Sequence, residues 1–323
     1  MGDKTGIQWT DATWNPLRGC SRVSAGCEHC YAEKTAARFC KPGEPYDGLV
    51  RITPKGRKVW NGEVKLVPEH LDDPLRWRRP RRVFVNSMSD LFHEKVPFEY
   101  IAAVFGVMAA APQHTFQVLT KRPARAREFF AWLGAHAPAL GLDPFVTMES
   151  EAEAHGVDVS AGESAPWPLP NVWLLVSVED QATADARIPE LLRCPAAVRG
   201  VSYEPALAGG DFSRWLPPYG EPDEDPREVG YGPAPGPTLD WIIVGGESGP
   251  GARPFDIVWA RSTIAQCREA GVAVFMKQLG SRPVSTINPM LPPRPWIEIK
   301  ARKGDDMDEW PADLRVREEP SRG

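Results

Sequence analysis

The chain lacks the features that mark several common classes of protein. It contains no run of about eighteen apolar residues, so the sequence predicts no transmembrane helix. Residues 1–11 also lack the basic and apolar regions of a secretory signal peptide. Acidic residues outnumber basic ones by 43 to 38, so no overall positive charge holds the protein on nucleic acid or anionic lipid. We expect a cytoplasmic monomer without a membrane attachment, and whether it has a protein partner is unknown from the sequence.

Cysteine is scarce as well, and its distribution is uneven. Only six cysteines occur in 323 residues, and four of them lie between positions 20 and 40. This is too few and too clustered for a disulfide framework, so a metal or cluster site is the better expectation. The sequence has no Walker-type phosphate loop, no G-x-S-x-G elbow and no His-Glu-x-x-His helix. The enzyme classes built on those motifs therefore lose support.

Proline, glycine and tryptophan are plentiful, with 34, 28 and 12 residues respectively. This composition predicts many loops held by large aromatic side chains. Hydrophobic residues make up 42% of the chain and charged residues 25%, which is typical of a globular protein rather than a disordered one.

Six short apolar runs predict buried strands, because their apolar residues are nearly continuous rather than alternating. These runs are 82–86, 116–120, 172–177, 198–203, 239–244 and 272–276. The clearest helical stretches between them are 98–108, 124–133 and 258–270. With a seventh strand within residues 8–14, the alternation predicts an α/β fold that is a complete or partial βα (TIM-like) barrel. A doubly wound open sheet is the alternative, because strand order cannot be read from sequence.

The predicted barrel forms a single domain over residues 1–323. Its further parts are a cysteine loop at about 15–40, insertions at about 135–170 and 209–238, and a C-terminal extension at about 280–323. The second insertion is acidic and rich in proline, which is typical of a solvated loop.

Polar residues follow the predicted strands, where a βα barrel builds its active site. The candidate catalytic residues among them are His93, Lys121, Glu204 and Lys277. A histidine titrates near neutral pH and can transfer protons, although a hydrogen-bonded structural histidine fits the same position. Some of the polar residues are also favoured helix N-caps.

Three cysteines share one short loop in the pattern Cys20-x6-Cys27-x2-Cys30. Thiolates bind zinc or iron–sulfur clusters, and the glycines before Cys20 and Cys27 let the loop turn tightly around a metal. Three thiolates leave one iron of a 4Fe–4S cluster free to bind a cofactor or substrate. The alternatives are a closed zinc site completed by His29 or Cys40, and cysteines that are merely buried.

A dense arginine cluster lies before the first long strand. Arginine suits phosphates and an indole can stack on a base, so the cluster predicts local DNA or other nucleic-acid binding. Its residues are Arg76, Trp77, Arg78, Arg79, Arg81 and Arg82, to which Arg122 is added as a candidate. A solvated loop is the alternative interpretation.

Seven motifs in order along nearly the whole chain support a family resemblance. They are residues 6–16, 20–33, 87–93, 119–123, 202–205, 244–249 and 309–317. Together they resemble a phage and bacterial protein family of unknown function (phage Gp37/Gp68-like), which is similar to radical S-adenosylmethionine proteins. Those proteins usually space their cysteines Cys-x3-Cys-x2-Cys with an aromatic residue before the last cysteine. Here the first spacing is six, and Tyr31 follows Cys30.

The resemblance implies a 4Fe–4S cluster held by Cys20, Cys27 and Cys30, with S-adenosylmethionine on the open iron. An electron from the reduced cluster then cleaves the sulfonium to a 5′-deoxyadenosyl radical. The candidate cofactor-binding residues are Asn86, Ser87, Ser89, Asp90, Gly245, Gly246 and Glu247. Radical S-adenosylmethionine proteins often hold the amino group of the cofactor's methionine with a Gly-Gly-Glu motif that follows an early strand. Residues 86–90 match that position better than residues 245–247, which follow a late strand.

Two functions follow from these patterns. The first is a cluster-dependent radical enzyme that acts on a nucleic acid or nucleotide. The second is a nucleic-acid-binding or nuclease-type protein in which a cluster or zinc is structural. In that case carboxylates would hold a divalent ion, and the candidates are Asp90, Glu179, Asp180, Glu204 and Glu247.

Overall fold

The computed structural model describes residues 5–139, 144–159, 166–218, 236–286, 294–295 and 299–320. The chain divides into two compact units. Unit 1 comprises residues 1–176 and 194–197, and unit 2 comprises residues 177–193 and 198–323. The prediction that residues 1–323 fold as one domain stays a prediction. In the described part of the chain, no helix is both long and apolar enough to cross a bilayer.

Unit 1 contains the first strands and four helices. Its strands are β1 (Ala12–Trp14), β2 (Leu17–Arg18), β3 (Val50–Ile52), β4 (Lys58–Trp60), β5 (Lys65–Leu66), β6 (Arg82–Val85), β7 (Thr115–Thr120) and β8 (Val172–Val178), of which the first five residues belong to this unit. Its helices are α1 (Tyr31–Ala36), α2 (Phe98–Ala109), α3 (Pro123–Ala139) and α4 (Pro144–Ala154).

The parallel strands of unit 1 lie in the order β1-β6-β7-β8. Val83 is the register partner of both Ala12 and Phe116, and Phe116 also pairs with Val172. This order follows the chain without reversal. A doubly wound sheet reverses its order at a switch point, so these four strands match the βα-barrel pattern instead.

Close helix packing explains the core of unit 1. Most residues of α2 are buried, and α4 packs directly against this helix. A side chain at Gly106 would collide with the Met148 carbonyl oxygen, so glycine is required where the two helices touch. Helix α4 lies within the predicted insertion at 135–170, of which residues 140–143 and 160–165 lie outside the described residues.

Unit 2 contains the remaining elements. Its strands are β9 (Val198–Tyr203), β10 (Trp241–Gly245), β11 (Phe255–Asp256), β12 (Ala273–Gln278), β13 (Pro283–Ser285) and β14 (Arg294–Pro295), and its helices are α5 (Gln181–Leu192) and α6 (Ile257–Glu269). Strands β9, β10 and β12 are parallel neighbours in chain order. Asp180 and Asp256 accept backbone hydrogen bonds at the starts of α5 and α6, which explains why these helices begin there.

The C-terminal segment covers the second edge of β12. The backbone N–H of Met276 donates to the Val316 oxygen, and that of Glu318 donates to the Val274 oxygen, both at 2.9 Å. Along residues 274–276, β12 therefore has no edge left for a further parallel strand. The seven predicted parallel strands are confirmed and support a partial βα fold, whereas a complete barrel is not confirmed. Of the predicted insertion at 209–238, residues 219–235 lie outside the described residues.

Candidate functional site

The cysteine loop follows β1 and therefore starts from the carboxyl end of the parallel strands of unit 1. Gly19 has a φ of 93°, in the region that favours glycine, and forms a β-bridge with Ser89. A side chain at Gly19 would collide with the Glu63 carbonyl oxygen. Glycine is therefore required at the position that leads the chain into Cys20.

The segment after β6 fastens this loop. The Ser89 hydroxyl donates to the Leu17 carbonyl oxygen at 2.9 Å, and the Tyr31 hydroxyl donates to the Ser87 carbonyl oxygen at 2.6 Å. The Ser87 hydroxyl also donates to Asn15 Oδ1 at 3.2 Å. The structure thus brings together two groups of predicted residues, the cysteines and residues 86–90, because both follow neighbouring parallel strands.

The thiols of Cys20 and Cys27 both lie close enough to the Cys30 thiol to interact with it electrostatically. Burial, with smaller contributions from Asp90 and Cys30, raises the pKa of Cys20 to about 12, although Arg122 opposes this shift. Burial also raises the pKa of Cys30, with a smaller contribution from Cys27. Without a metal these two thiols therefore hold their protons at neutral pH, and metal binding must release them. Within the described ranges, no group of three or more His, Cys, Asp and Glu side chains has the arrangement of a metal site.

Arg122 joins the cysteine loop to the sheet. Its guanidinium donates to Asp90 Oδ2 at 2.9 Å, to Ser21 Oγ at 2.7 Å and to the Ser21 carbonyl oxygen at 3.1 Å. It also donates to Glu94 Oε2 at 3.2 Å and lies 3.9 Å from the Cys20 sulfur. The side chain is only 10% exposed. It therefore organises the loop from within, and does not present the free cation that a phosphate contact requires.

Asp90 is fully engaged by its own chain. It accepts hydrogen bonds from the Thr120 hydroxyl at 2.8 Å and from the backbone N–H groups of Phe92 and Lys121 at 3.0 and 3.1 Å. Together with the Arg122 contact, these bonds occupy both carboxylate oxygens. Asp90 thus positions Arg122 and the start of α3, and its oxygens are not turned to an open site.

His93 is a buried structural contact in this arrangement. Its Nδ1 accepts from the Lys95 backbone N–H at 3.2 Å, which leaves the proton of the neutral ring on Nε2. Nε2 lies 3.0 Å from Ser21 Oγ. Burial and the charge of Arg122 lower the pKa of His93, so the ring is neutral at pH 7. The geometry favours the structural alternative over proton transfer.

Asn86 differs from all these residues. It is 2% exposed and has a φ of 61°, a conformation that asparagine tolerates better than most side chains. Neither its amide nitrogen nor its amide oxygen has a hydrogen-bond partner in the described structure. A buried amide without partners costs about 1–3 kcal/mol. Together with its place beside the cysteine loop, this makes Asn86 a candidate for contact with a ligand.

Unit 2 carries the other predicted site residues. Lys277 Nζ lies 2.6 Å from Glu204 Oε2, and the Gln278 amide donates to Glu204 Oε1 at 3.3 Å. Because β9 and β12 end next to this pair, it occupies the carboxyl end of the parallel strands in unit 2. Glu247 instead forms a two-pronged ion pair with Arg253, at 2.9 and 3.1 Å.

Packing accounts for the two glycines before Glu247. A side chain at Gly246 would lie 2.5 Å from the Leu279 carbonyl oxygen and 2.7 Å from Phe255 Cβ. At Gly245 the nearest atom is the Gln278 carbonyl oxygen, at 3.3 Å. Gly246 is therefore required by its neighbours, whatever ligand binds near it.

The arginine cluster lies away from the cysteine loop. Residues 76–82 of the cluster end at Arg82, which is the first residue of β6. The cysteine loop contacts the segment after Val85, at the other end of that strand. Arg76 pairs with Asp72, and Arg82 pairs with Asp11 at 3.1 Å. The remaining members are Trp77, Arg78, Arg79 and Arg81, and Arg81 lies over the Trp77 ring. Of the residues predicted to bind nucleic acid, the structure therefore brings only Arg122 to the cysteine loop.

A family model described as a protein of unknown function (DUF5131) matches residues 4–309. The chain belongs to the DUF5131 family. Comparison with curated proteins gives no match, and neither does comparison with solved structures. The prediction that the chain belongs to a family of unknown function is thus confirmed, and membership assigns the chain no activity. The similarity to phage Gp37/Gp68-like and radical S-adenosylmethionine proteins stays a prediction.

The carboxylates predicted for a divalent ion are each bound by their own chain. Arg122 binds Asp90, Arg187 lies 3.1 Å from Glu179, and Asp180 accepts from the Thr183 backbone at the start of α5. Glu204 and Glu247 carry the lysine and arginine contacts given above. Among the described residues, these five side chains therefore do not form an open cation site.

Sequence reasoning missed two residues between the first two cysteines. Ser21 accepts the Arg122 and His93 contacts, and Arg22 Nε donates to Glu33 Oε1 at 3.0 Å. Glu33 is buried and also accepts from the Trp60 backbone N–H. The sequence could have indicated these two residues, because a serine and an arginine directly follow Cys20 inside the Cys-x6-Cys motif.

Proposed function

We propose that the chain is a radical S-adenosylmethionine-like iron–sulfur enzyme that acts on a nucleic acid or a nucleotide. Cys20, Cys27 and Cys30 would hold a 4Fe–4S cluster and leave one iron without a thiolate ligand. The observation that supports this most is the position of the loop after the first parallel strand, beside the unpartnered amide of Asn86. The family resemblance of the sequence motifs points the same way.

The donor set agrees with this cluster. Three thiols on one loop are soft ligands, and the charges of Cys27 and Cys30 act on the guanidinium of Arg22. Arg122 lies beside the third thiol, Cys20. Two guanidinium groups next to three thiols can offset the negative charge that forms when the thiols lose their protons. The loop would still have to draw its thiols together, since the described side chains form no closed metal site.

Each nearby residue has a distinct task in this proposal. Arg122 and Ser21 hold the loop against the sheet, and the bond from Tyr31 to Ser87 fixes the end of the loop. The Asn86 amide offers two N–H donors and one acceptor oxygen to the cofactor's polar groups. When bound, the cluster would supply the electron that cleaves the sulfonium cofactor.

In unit 2, Glu204 and Lys277 are the candidate groups for the substrate. Their ion pair is mostly buried, and it combines an acceptor and a donor at the carboxyl end of β9 and β12. Among the described residues, no contact favours the nuclease-type alternative, because each of its candidate carboxylates is already bound by its own chain.

Anaerobic reconstitution with iron and sulfide tests the proposal. The reduced protein, incubated with S-adenosylmethionine, is expected to release 5′-deoxyadenosine. Asn86→Gly is expected to load iron normally and to lose both cofactor binding and deoxyadenosine release. Asn171→Ala is the matched control, since the Asn171 amide donates to the Met108 carbonyl oxygen. Deoxyadenosine absent from the wild-type protein, or undiminished in Asn86→Gly, would contradict the proposal.

A further inference from the structure

A second basic region lies directly after the cysteine loop. Seven lysines and arginines occur between positions 34 and 58, against two acids, in a chain whose net charge is −5. The seven define the basic surface: Lys34, Arg38, Lys41, Arg51, Lys55, Arg57 and Lys58. All of them are exposed. Their density on an acidic protein indicates a surface that attracts anions.

The charges of the basic surface are not neutralised by any residue that the structure describes. In the described part of the protein, no carboxylate forms an ion pair with any of the seven side chains. Arg57 donates to the Glu28 carbonyl oxygen at 3.2 Å, and Lys58 donates to the Ala37 carbonyl oxygen at 3.0 Å. Both bonds position the cations without cancelling their charge. In the arginine cluster, by contrast, Arg76 and Arg82 are paired with aspartates.

Helix α1 and the β3–β4 hairpin form this surface next to the thiols. Ala32 and Ala36 of α1 pack in one small core with Leu49 and Trp60, and Cys30 borders the same core. This packing leaves Lys34 on the outer face of the helix, and Arg38 is exposed just beyond its end. The Arg57 and Lys58 bonds fasten the hairpin to Glu28 before α1 and to Ala37 after it. Lys34, Arg57 and Lys58 are therefore held together beside Cys30.

Two exposed aromatic rings accompany the cations. Tyr31 is 54% exposed and Phe39 is 49% exposed. The Tyr31 hydroxyl is held by the Ser87 carbonyl oxygen, so its ring is fixed on the surface immediately after Cys30. A fixed aromatic face beside unpaired cations suits the stacking of an unpaired base with its phosphates on either side. Insertion into a membrane would instead require the ring to release this hydrogen bond.

We infer that the basic surface binds single-stranded nucleic acid, with its phosphates on the cations and a base on Tyr31. The inference rests on the proposed action on nucleic acid, and it places the strand beside the cysteine loop rather than on the arginine cluster.

Fluorescence anisotropy with the full chain and a labelled oligothymidylate tests the inference. The variant Lys34→Ala/Arg38→Ala/Lys41→Ala is expected to bind more than about tenfold more weakly at low salt. Its plot of log affinity against log salt should be flatter by about two, since each lost phosphate contact on a single strand contributes about 0.7. The matched control is Arg76→Ala/Arg78→Ala/Arg79→Ala, which should retain the wild-type affinity and slope.

Stacking is tested separately at the aromatic ring. Tyr31→Phe keeps the ring but loses the bond that fixes it, so it should bind the oligonucleotide more weakly than the wild type and more tightly than Tyr31→Ala. Tyr31→Ala should bind about tenfold more weakly than the wild type. Equal losses in the two triple variants, or an unchanged first variant, would overturn the inference. So would tighter binding to a duplex of the same length, or binding to phosphatidylserine vesicles without binding to the oligonucleotide.

Iron content separates this inference from the proposed function. A protein that binds the oligonucleotide through the basic surface but takes up no iron upholds the inference and defeats the cluster proposal. A protein that takes up iron but shows no oligonucleotide binding upholds the cluster and overturns the inference.

Discussion

Replacing Arg122 by alanine tests how the cysteine loop is held. The guanidinium is 10% exposed and contacts Asp90, Glu94 and both oxygens of Ser21. Removing it leaves the Asp90 carboxylate, whose side chain is 6% exposed, without its counter-charge. The substitution also removes both hydrogen bonds by which Arg122 holds Ser21, the residue after Cys20, against the sheet.

The expected loss is large because the remaining charge is buried. Breaking a buried ion pair by removing one partner typically costs about 3–5 kcal/mol. The Thr120 hydroxyl and two backbone N–H groups still stabilise the Asp90 carboxylate, so we expect about 3 kcal/mol, at the lower end. The double variant Arg122→Ala/Asp90→Asn removes both charges and should regain about half of this loss, since the two residues are in direct contact.

Urea denaturation of the full chain, followed by tryptophan fluorescence, measures these free energies of unfolding. Lys95→Ala is the control, because Lys95 is 45% exposed and its pair with Glu63 is worth less than about 1 kcal/mol. An Arg122→Ala protein as stable as Lys95→Ala would refute the argument. A double variant less stable than Arg122→Ala would refute the assignment of the loss to Asp90.

Two further predictions follow from packing and burial. Gly246→Ala should lower the free energy of unfolding by about 1–3 kcal/mol through overpacking, and Gly245→Ala should lower it less. Equal thermal stability of the two variants would contradict this prediction. Burial lowers the pKa of His93 and His114 below 6.5, so both rings are neutral when folded and take up protons when unfolded. Stability should therefore fall as the pH drops below about 6.5, and urea midpoints that rise between about pH 7.5 and pH 5.5 would contradict it.

The strands were predictable because their signal is local. Continuous apolar runs placed β7, β8 and β9 within one residue of their observed limits. The covering of β12 was not predictable, since its partner is the segment around Arg317, far away in the chain and without a strand pattern of its own. The short pairs β2–β5 and β3–β4 were missed for the same reason, because two or three residues carry no periodicity.

The site was predictable in outline and not in detail. Strand polarity alone brings residues 86–90 to the cysteine loop, as expected. Arg122 was assigned to nucleic acid because a guanidinium binds phosphates and carboxylates equally well, and sequence does not report burial. The position of Arg76 before a strand, rather than after it, already indicated the opposite end of the sheet. The basic surface was missed because its residues are spread over a helix, the segment after it and a hairpin.

Iron content of two cysteine variants tests the cluster most directly. The Cys40 thiol is bonded to the Ala37 carbonyl oxygen and to Lys58, so Cys40 serves as the matched control. After anaerobic reconstitution we expect about four irons per chain in the wild type and in Cys40→Ala, and none in Cys27→Ala. Thermal unfolding of Cys27→Ala should stay cooperative, because the parallel strands keep their core without the loop. Iron lost as completely from Cys40→Ala as from Cys27→Ala, or about one zinc per chain in place of iron, would contradict a three-thiolate cluster with an open iron.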